Sequence, residues 1–91
     1  MIERMITIQN RAGIHARPAA IVVQTTKDFT CSIYIEKGNN RINAKSIMGV
    51  LTLGAAYGTE LRLVADGEDE AEAMEALTRI FENKFDEDQD G

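Results

Sequence analysis

Apolar and polar positions alternate over the first stretch of the chain. Ile2, Ile6 and Ile8 share one parity and Thr7 and Gln9 take the other, which predicts a strand over residues 2–8. Asn10-Arg11-Ala12-Gly13-Ile14-His15 breaks that period and reads as a loop, with Gly13 available for a turn. From residue 16 to about 27 the period lengthens, with Ala16, Ala19, Ala20 and Val23 at helical spacing. Pro18 falls in the first turn of this helix, where a missing N–H costs nothing. Cys31, Ile33 and Ile35 then alternate with Ser32, Tyr34 and Glu36 as a second strand. Lys37-Gly38-Asn39-Asn40 tolerates positive φ and reads as a hairpin turn into a short third strand at 41–44.

Ser46 has the chemistry of an N-cap for a short helix through Leu53, with Gly54 as its stop. Leu61, Leu63 and Ala65 alternate with Glu60, Arg62 and Val64 as the fourth strand. Asp69, with Glu72 three residues later, fits a capping box. The helix it opens would bury Ala73, Met74, Leu77, Ile80 and Phe81. The order βαββαβα, with polar faces segregated on the strands, predicts an α+β open-faced sandwich. Its four-stranded antiparallel sheet would carry three helices on one face.

Length and composition narrow this picture. The 91 residues support one small domain, and 44% hydrophobic content is that of a globular chain. A single Cys excludes a disulfide framework, and with a single His no metal site is expected. No apolar run exceeds residues 19–23, so no membrane span is expected, and no signal-peptide core follows Glu3. The expectation is a soluble cytoplasmic monomer with Cys31 reduced. The net charge of −5 hides an asymmetry: residues 1–59 hold 7 basic and 3 acidic side chains, residues 60–91 hold 3 and 12. Asp86, Glu87, Asp88 and Asp90 crowd the end of the chain, dividing it into a folded domain over 1–85 and an acidic disordered tail over 86–91. The five Phe and Tyr residues do not interleave with the bases, which argues against nucleic acid as a partner.

Two segments carry candidate chemistry. In Gly13-Ile14-His15-Ala16-Arg17-Pro18-Ala19-Ala20 the only His of the chain sits at the mouth of a helix whose start Pro18 fixes. Amide N–H groups at such an end point at whatever the imidazole carries, and with the Arg17 guanidinium they can stabilise a phosphoryl group. The competing reading is a His that caps the helix or decorates a loop. In Lys45-Ser46-Ile47-Met48-Gly49-Val50-Leu51, Val50 and Leu53 face the core, leaving Ile47, Met48 and Leu51 with no evident inward role. An exposed apolar patch with an adaptable Met suits partner docking, and a helix buried on most sides is the alternative. A cap is reason enough for Ser46, although a phosphate there would also suit the helix end.

These two segments, at this separation and in this element order, resemble the HPr family, the histidine-containing phosphocarriers of the bacterial phosphoenolpyruvate–sugar phosphotransferase system. The resemblance spans residues 2–85. It implies that His15 takes a phosphoryl group on Nδ1 from phosphorylated enzyme I and passes it to EIIA domains of sugar permeases, with Arg17 stabilising the group. It implies that Ser46 is the target of an ATP-dependent HPr kinase/phosphorylase. Ile47, Met48 and Leu51, with Ala20 and Gln24 on the first helix, would dock partners. The implied protein is a carrier with no cofactor, not an enzyme. One position departs from the family pattern: Ala12 stands where relatives often carry Asn or Ser, whose short polar side chain could help order the loop. A regulatory module, in which Ser46 phosphorylation controls a transcriptional regulator and sugar transport is secondary, stays open beside the carrier. Retention of His15 favours the carrier. A small binding module with no phosphate chemistry would require both motifs to be coincidences.

Overall fold

The computed structural model describes residues 1–85; the acidic segment 86–91 lies outside the described residues. Its elements run β1 (Ile2–Thr7), α1 (Ala16–Thr26), β2 (Ser32–Lys37), β3 (Asn40–Asn43), α2 (Ile47–Thr52), β4 (Glu60–Asp66) and α3 (Glu70–Glu82). The strands form one sheet in the order β1-β4-β2-β3, with every neighbouring pair antiparallel. Ile33, Ile35, Leu61 and Leu63 of the central strands pack with Val22 of α1, Val50 of α2 and Met74, Leu77 and Phe81 of α3. This is the open-faced sandwich that the element order predicts. Gly38 and Asn39 form the two-residue turn between Lys37 and Asn40, and Gly38 takes the positive φ of +59° that such a turn requires.

Four expectations about individual side chains are corrected. The buried stripe of α1 is Pro18, Ala19, Val22 and Thr26, while Ala16 is exposed and Ala20 and Val23 are half-buried. The stripe turns this way because Thr26 is at home inside: its hydroxyl donates to the Ala44 carbonyl at 2.8 Å. Val64 is buried although it lies outside the helix-covered core, flanked in register by Glu3 on β1 and Tyr34 on β2. On a central strand, neighbours on both sides shield a side chain without any second layer. In α3, Thr78 is buried where Ile80 is only half-buried, and Thr78 accepts a hydrogen bond from Arg4 Nη1 at 3.0 Å.

The fourth correction concerns the start of α3. Asp69 occupies the N-cap position but makes no capping bond, so the Asp69/Glu72 capping box does not form. Its carboxylate reaches across to the segment before β2 and accepts from the amides of Thr30 and Cys31, both at 2.9 Å. Glu70 serves the turn instead, accepting from the Gly67 amide at 3.0 Å. The Thr30 amide is the largest cause that holds the Asp69 carboxyl down at about 2. Burial, with Asp69 beside it, pushes the neighbouring Cys31 thiol up to about 11.

A pH dependence follows from Asp69. Its folded-state value lies below the roughly 3.9 of an unfolded aspartate, so the stabilisation is complete above about pH 4. It is lost as pH falls through the folded-state value of about 2. Urea unfolding of the wild type and Asp69→Asn should therefore differ most near neutrality, with the gap closing between about pH 4 and 2. A gap independent of pH would show that the ionised carboxylate is not what joins α3 to the β2 segment.

Candidate functional site

The segment between β1 and α1 is held by backbone contacts to the loop that follows α2. Ile8 N–H donates to the Thr59 carbonyl at 2.8 Å, and Gly58 N–H returns a bond to the Ile8 carbonyl at 2.9 Å. Further along, Ile14 N–H donates to the Ala55 carbonyl at 2.8 Å. Between these anchors the chain turns, with Gly13 N–H bonded to the Asn10 carbonyl at 3.1 Å and Asn10 Nδ2 donating to the Gly13 carbonyl at 2.6 Å. Gly13 has φ +72°, and a Cβ there would lie 2.7 Å from the Ala55 oxygen. Both the backbone conformation and the available space therefore require glycine.

This loop delivers His15 to the N-cap position of α1, in extended conformation and exposed. The His15 carbonyl accepts the first helical bond, from Ala19 N–H at 2.9 Å, while its imidazole makes no capping bond. Helix geometry aims the first-turn N–H groups of Ala16 and Arg17 toward this end, and Pro18 contributes none. Arg17 is exposed in the same turn, which contains no carboxylate. The arrangement offers an unburied imidazole at the positive end of a helix with a guanidinium in its first turn, a setting that favours a bound anion.

Ser46 is the N-cap of α2, as its chemistry suggests: its Oγ accepts from Gly49 N–H at 3.1 Å. Val50 and Leu53 are buried beneath it. Ile47 and Met48 are 43% and 68% exposed, whereas Leu51 is half-buried against the core. Leu51 thus has the inward role that its spacing hid, and the freely exposed part of the patch is Ile47 and Met48. On α1, which packs against α2, Ala20 is half-buried and Gln24 exposed. Sequence reasoning missed Asn10 and the Ala55–Thr59 brace. The two glycines bracketing residues 55–57 mark a constrained loop, but nothing in the one-dimensional pattern says what that loop supports. Among the described residues no cluster of three or more His, Cys, Asp and Glu side chains could hold a metal, and no helix is long and apolar enough to cross a membrane.

The chain is similar to known proteins over nearly its whole length. A family model described as the PTS HPr component phosphorylation site matches residues 2–83. The phosphocarrier protein HPr of Treponema pallidum is 47% identical over 88 residues, covering 97% of this chain and 100% of that protein. The crystal structure of HPr from Thermoanaerobacter tengcongensis aligns with a TM-score of 0.92 at 49% identity, covering 96% of this chain and 98% of that one. Crh of Bacillus subtilis, a catabolite-repression protein crystallised as a domain-swapped dimer, aligns with a TM-score of 0.74 at 40% identity, covering 92% of this chain and 97% of that one.

The contact of Gly13 with Ala55 sets a stability test. Gly13→Ala places a Cβ against a carbonyl oxygen in a left-handed conformation, and should cost about 1–3 kcal/mol. The urea midpoint should fall accordingly. An unchanged midpoint would mean that the loop is not pressed against Ala55 in solution.

Proposed function

The chain belongs to the HPr family of phosphotransferase-system phosphocarriers, and from that premise we propose that His15 is its phosphoryl acceptor and Arg17 the side chain that stabilises the transferred group. A phosphocarrier of this kind is a protein substrate passed between larger enzymes, not an enzyme itself. The reading is carried by one observation: the imidazole stands exposed at the α1 N-terminus without serving as a cap. In the proposed step the Nδ1 lone pair attacks phosphorus on phosphorylated enzyme I and a P–N bond forms. The bond from phosphorus to the donor atom breaks, its electron pair leaves with the donor, and the ring proton stays on Nε2. The reverse chemistry delivers the group to an EIIA domain. In this reading residues 1–85 are the carrier domain, acting as a cytoplasmic monomer, with Ala20, Gln24, Ile47, Met48 and Leu51 forming or backing the surface on which partners dock.

Incubation with phosphoenolpyruvate and a heterologous enzyme I tests the assignment. The protein should take up a label that is lost in mild acid and survives alkali, as a phosphoramidate does. His15→Ala should take up none. Arg17→Ala should fold normally and be labelled on the order of 10²–10³ more slowly, the usual cost of losing one charge-stabilising contact in a transition state. Undiminished labelling of the His15 variant overturns the assignment, and wild-type kinetics in the Arg17 variant removes that residue from it.

A second layer, regulation through Ser46, is favoured by the position of its hydroxyl at the α2 N-cap beside exposed Ile47 and Met48, and by likeness to Crh. An HPr kinase/phosphorylase would be the modifying enzyme and a transcriptional regulator a further partner. Charge at the N-cap suits the helix, so Ser46→Asp should hold or raise stability by roughly 0.3–1 kcal/mol. The same charge beside the patch must be desolvated or repelled on docking, so labelling by enzyme I should slow and binding weaken. If Ser46→Asp unfolds the domain, its loss of activity has another cause. If it is labelled at the wild-type rate, enzyme I docks elsewhere.

A further inference from the structure

We infer that Asn10 is the positioning residue of the acceptor loop, the side chain that fixes where His15 meets an incoming phosphoryl group; the inference rests on the carrier reading above. Asn10 is 1% exposed, and it touches Gly13 twice. Its carbonyl accepts from Gly13 N–H at 3.1 Å, and its Nδ2 donates to the Gly13 carbonyl at 2.6 Å. With Ile14 N–H bonded to Ala55, the peptide groups on both sides of Gly13 are held just before His15. Ala12 has no polar side chain for this task, and Asn10, two residues earlier, supplies one from inside.

The other half of the Asn10 amide gives the inference its force. Oδ1 is buried and has no hydrogen-bond partner among the described residues. Turning the amide over would set Oδ1 against the Gly13 oxygen, so the donor to Gly13 is Nδ2 and the unpaired atom is Oδ1. Buried polar atoms are paired in nearly all cases, and those that are not call for a reason. The other buried polar side chains among the described residues, Thr26 and Thr78, each bond into a neighbouring element. Asn10 alone faces its own loop and leaves an oxygen unmatched. The cost is explained if the loop needs this donor to hold His15 in reacting geometry, because small misplacements of a reacting group slow transfer steeply.

The experiment compares Asn10→Ala with wild type in single-turnover labelling by phosphoenolpyruvate and heterologous enzyme I, at temperatures where both are folded. The expected result is a maximal rate lower by roughly ten- to a hundredfold, a concentration of enzyme I for half-maximal rate within about twofold of wild type, and a changed NMR titration curve for the His15 ring protons. A variant that melts lower yet keeps the wild-type maximal rate and titration makes Asn10 ordinary scaffolding and overturns the inference. Should the variant not fold, hydrogen exchange on the wild type decides. One Asn10 side-chain proton protected from exchange supports the clamp, and two freely exchanging protons overturn it. Failure of the carrier reading has its own signature, an unlabelled wild type or a labelled His15→Ala, and the inference would fall with it.

Discussion

His15 stands exposed at the start of α1, and its imidazole makes no capping bond. Its position has to come from the backbone beneath it, and here that backbone is fixed by the seating of Gly13 on Ala55. The 2.7 Å between a hypothetical Gly13 Cβ and the Ala55 oxygen leaves room for hydrogen alone. That closeness lets Ile14 N–H reach the same carbonyl, so one oxygen both limits and anchors the loop. The Ala55–Thr59 segment is itself tied back through Ile8. Strand β1, the loop that carries His15 and the connection into β4 therefore behave as one braced corner, and His15 projects from it without a bond of its own at the cap.

The three helix N-termini show three ways of meeting the same requirement, since each leaves amides without intrahelical partners. At α2 the Ser46 hydroxyl accepts from Gly49, and the end is closed by a neutral cap. At α3 the first turn carries Glu70 and Glu72, and the N-cap carboxylate is spent on Thr30 and Cys31. Only α1 has neither an acid in its first turn nor a side-chain cap. Its positive end is not neutralised by carboxylates from its own first turn, which is the electrostatic setting a dianionic group favours. The difference is one of sequence, Ala16-Arg17-Pro18 against Glu70-Ala71-Glu72, expressed through the same helix geometry.

What the sequence made legible follows from range. Strand alternation, Pro18 at a helix start, Ser46 as a cap and Gly38 in a two-residue turn all depend on residues within one turn of each other, and all appear where local chemistry puts them. The placement of His15 and Ser46 at the starts of α1 and α2 was equally readable, because motif spacing and helix ends are local facts. The failures are non-local. Thr26 is buried where the Ala44 carbonyl, far along the chain, accepts its hydrogen bond; Val64 because two strands distant in sequence flank it. Asp69 looked like a cap because nothing nearby reveals that Thr30 and Cys31 need an acceptor. Asn10 has the composition of any turn residue until the fold closes over it.

The open face of the sheet bears on how these demands are kept apart. Among the described residues no helix covers it, yet Val64 is buried there, and a linked set of charges spans the strands. Arg62 pairs with Glu3 at 3.0 Å and approaches Glu36 at 3.8 Å, Glu36 approaches Arg41 at 3.6 Å, and the Arg41 guanidinium lies 3.9 Å over the Tyr34 ring. Pairs this exposed contribute little stability each. Their effect is to keep a broad, flat sheet wet and charged, so that it presents no continuous apolar surface. Among the described residues Met5 is the exposed large apolar side chain of the sheet, isolated among these ions. Ile47 and Met48, by contrast, stand together at the start of α2, on a helix packed against the one that follows His15. The sheet thus offers no apolar face to match the pair Ile47 and Met48 in the helical layer. There His15 rests on a loop held by the Ala55 carbonyl and by the buried amide of Asn10.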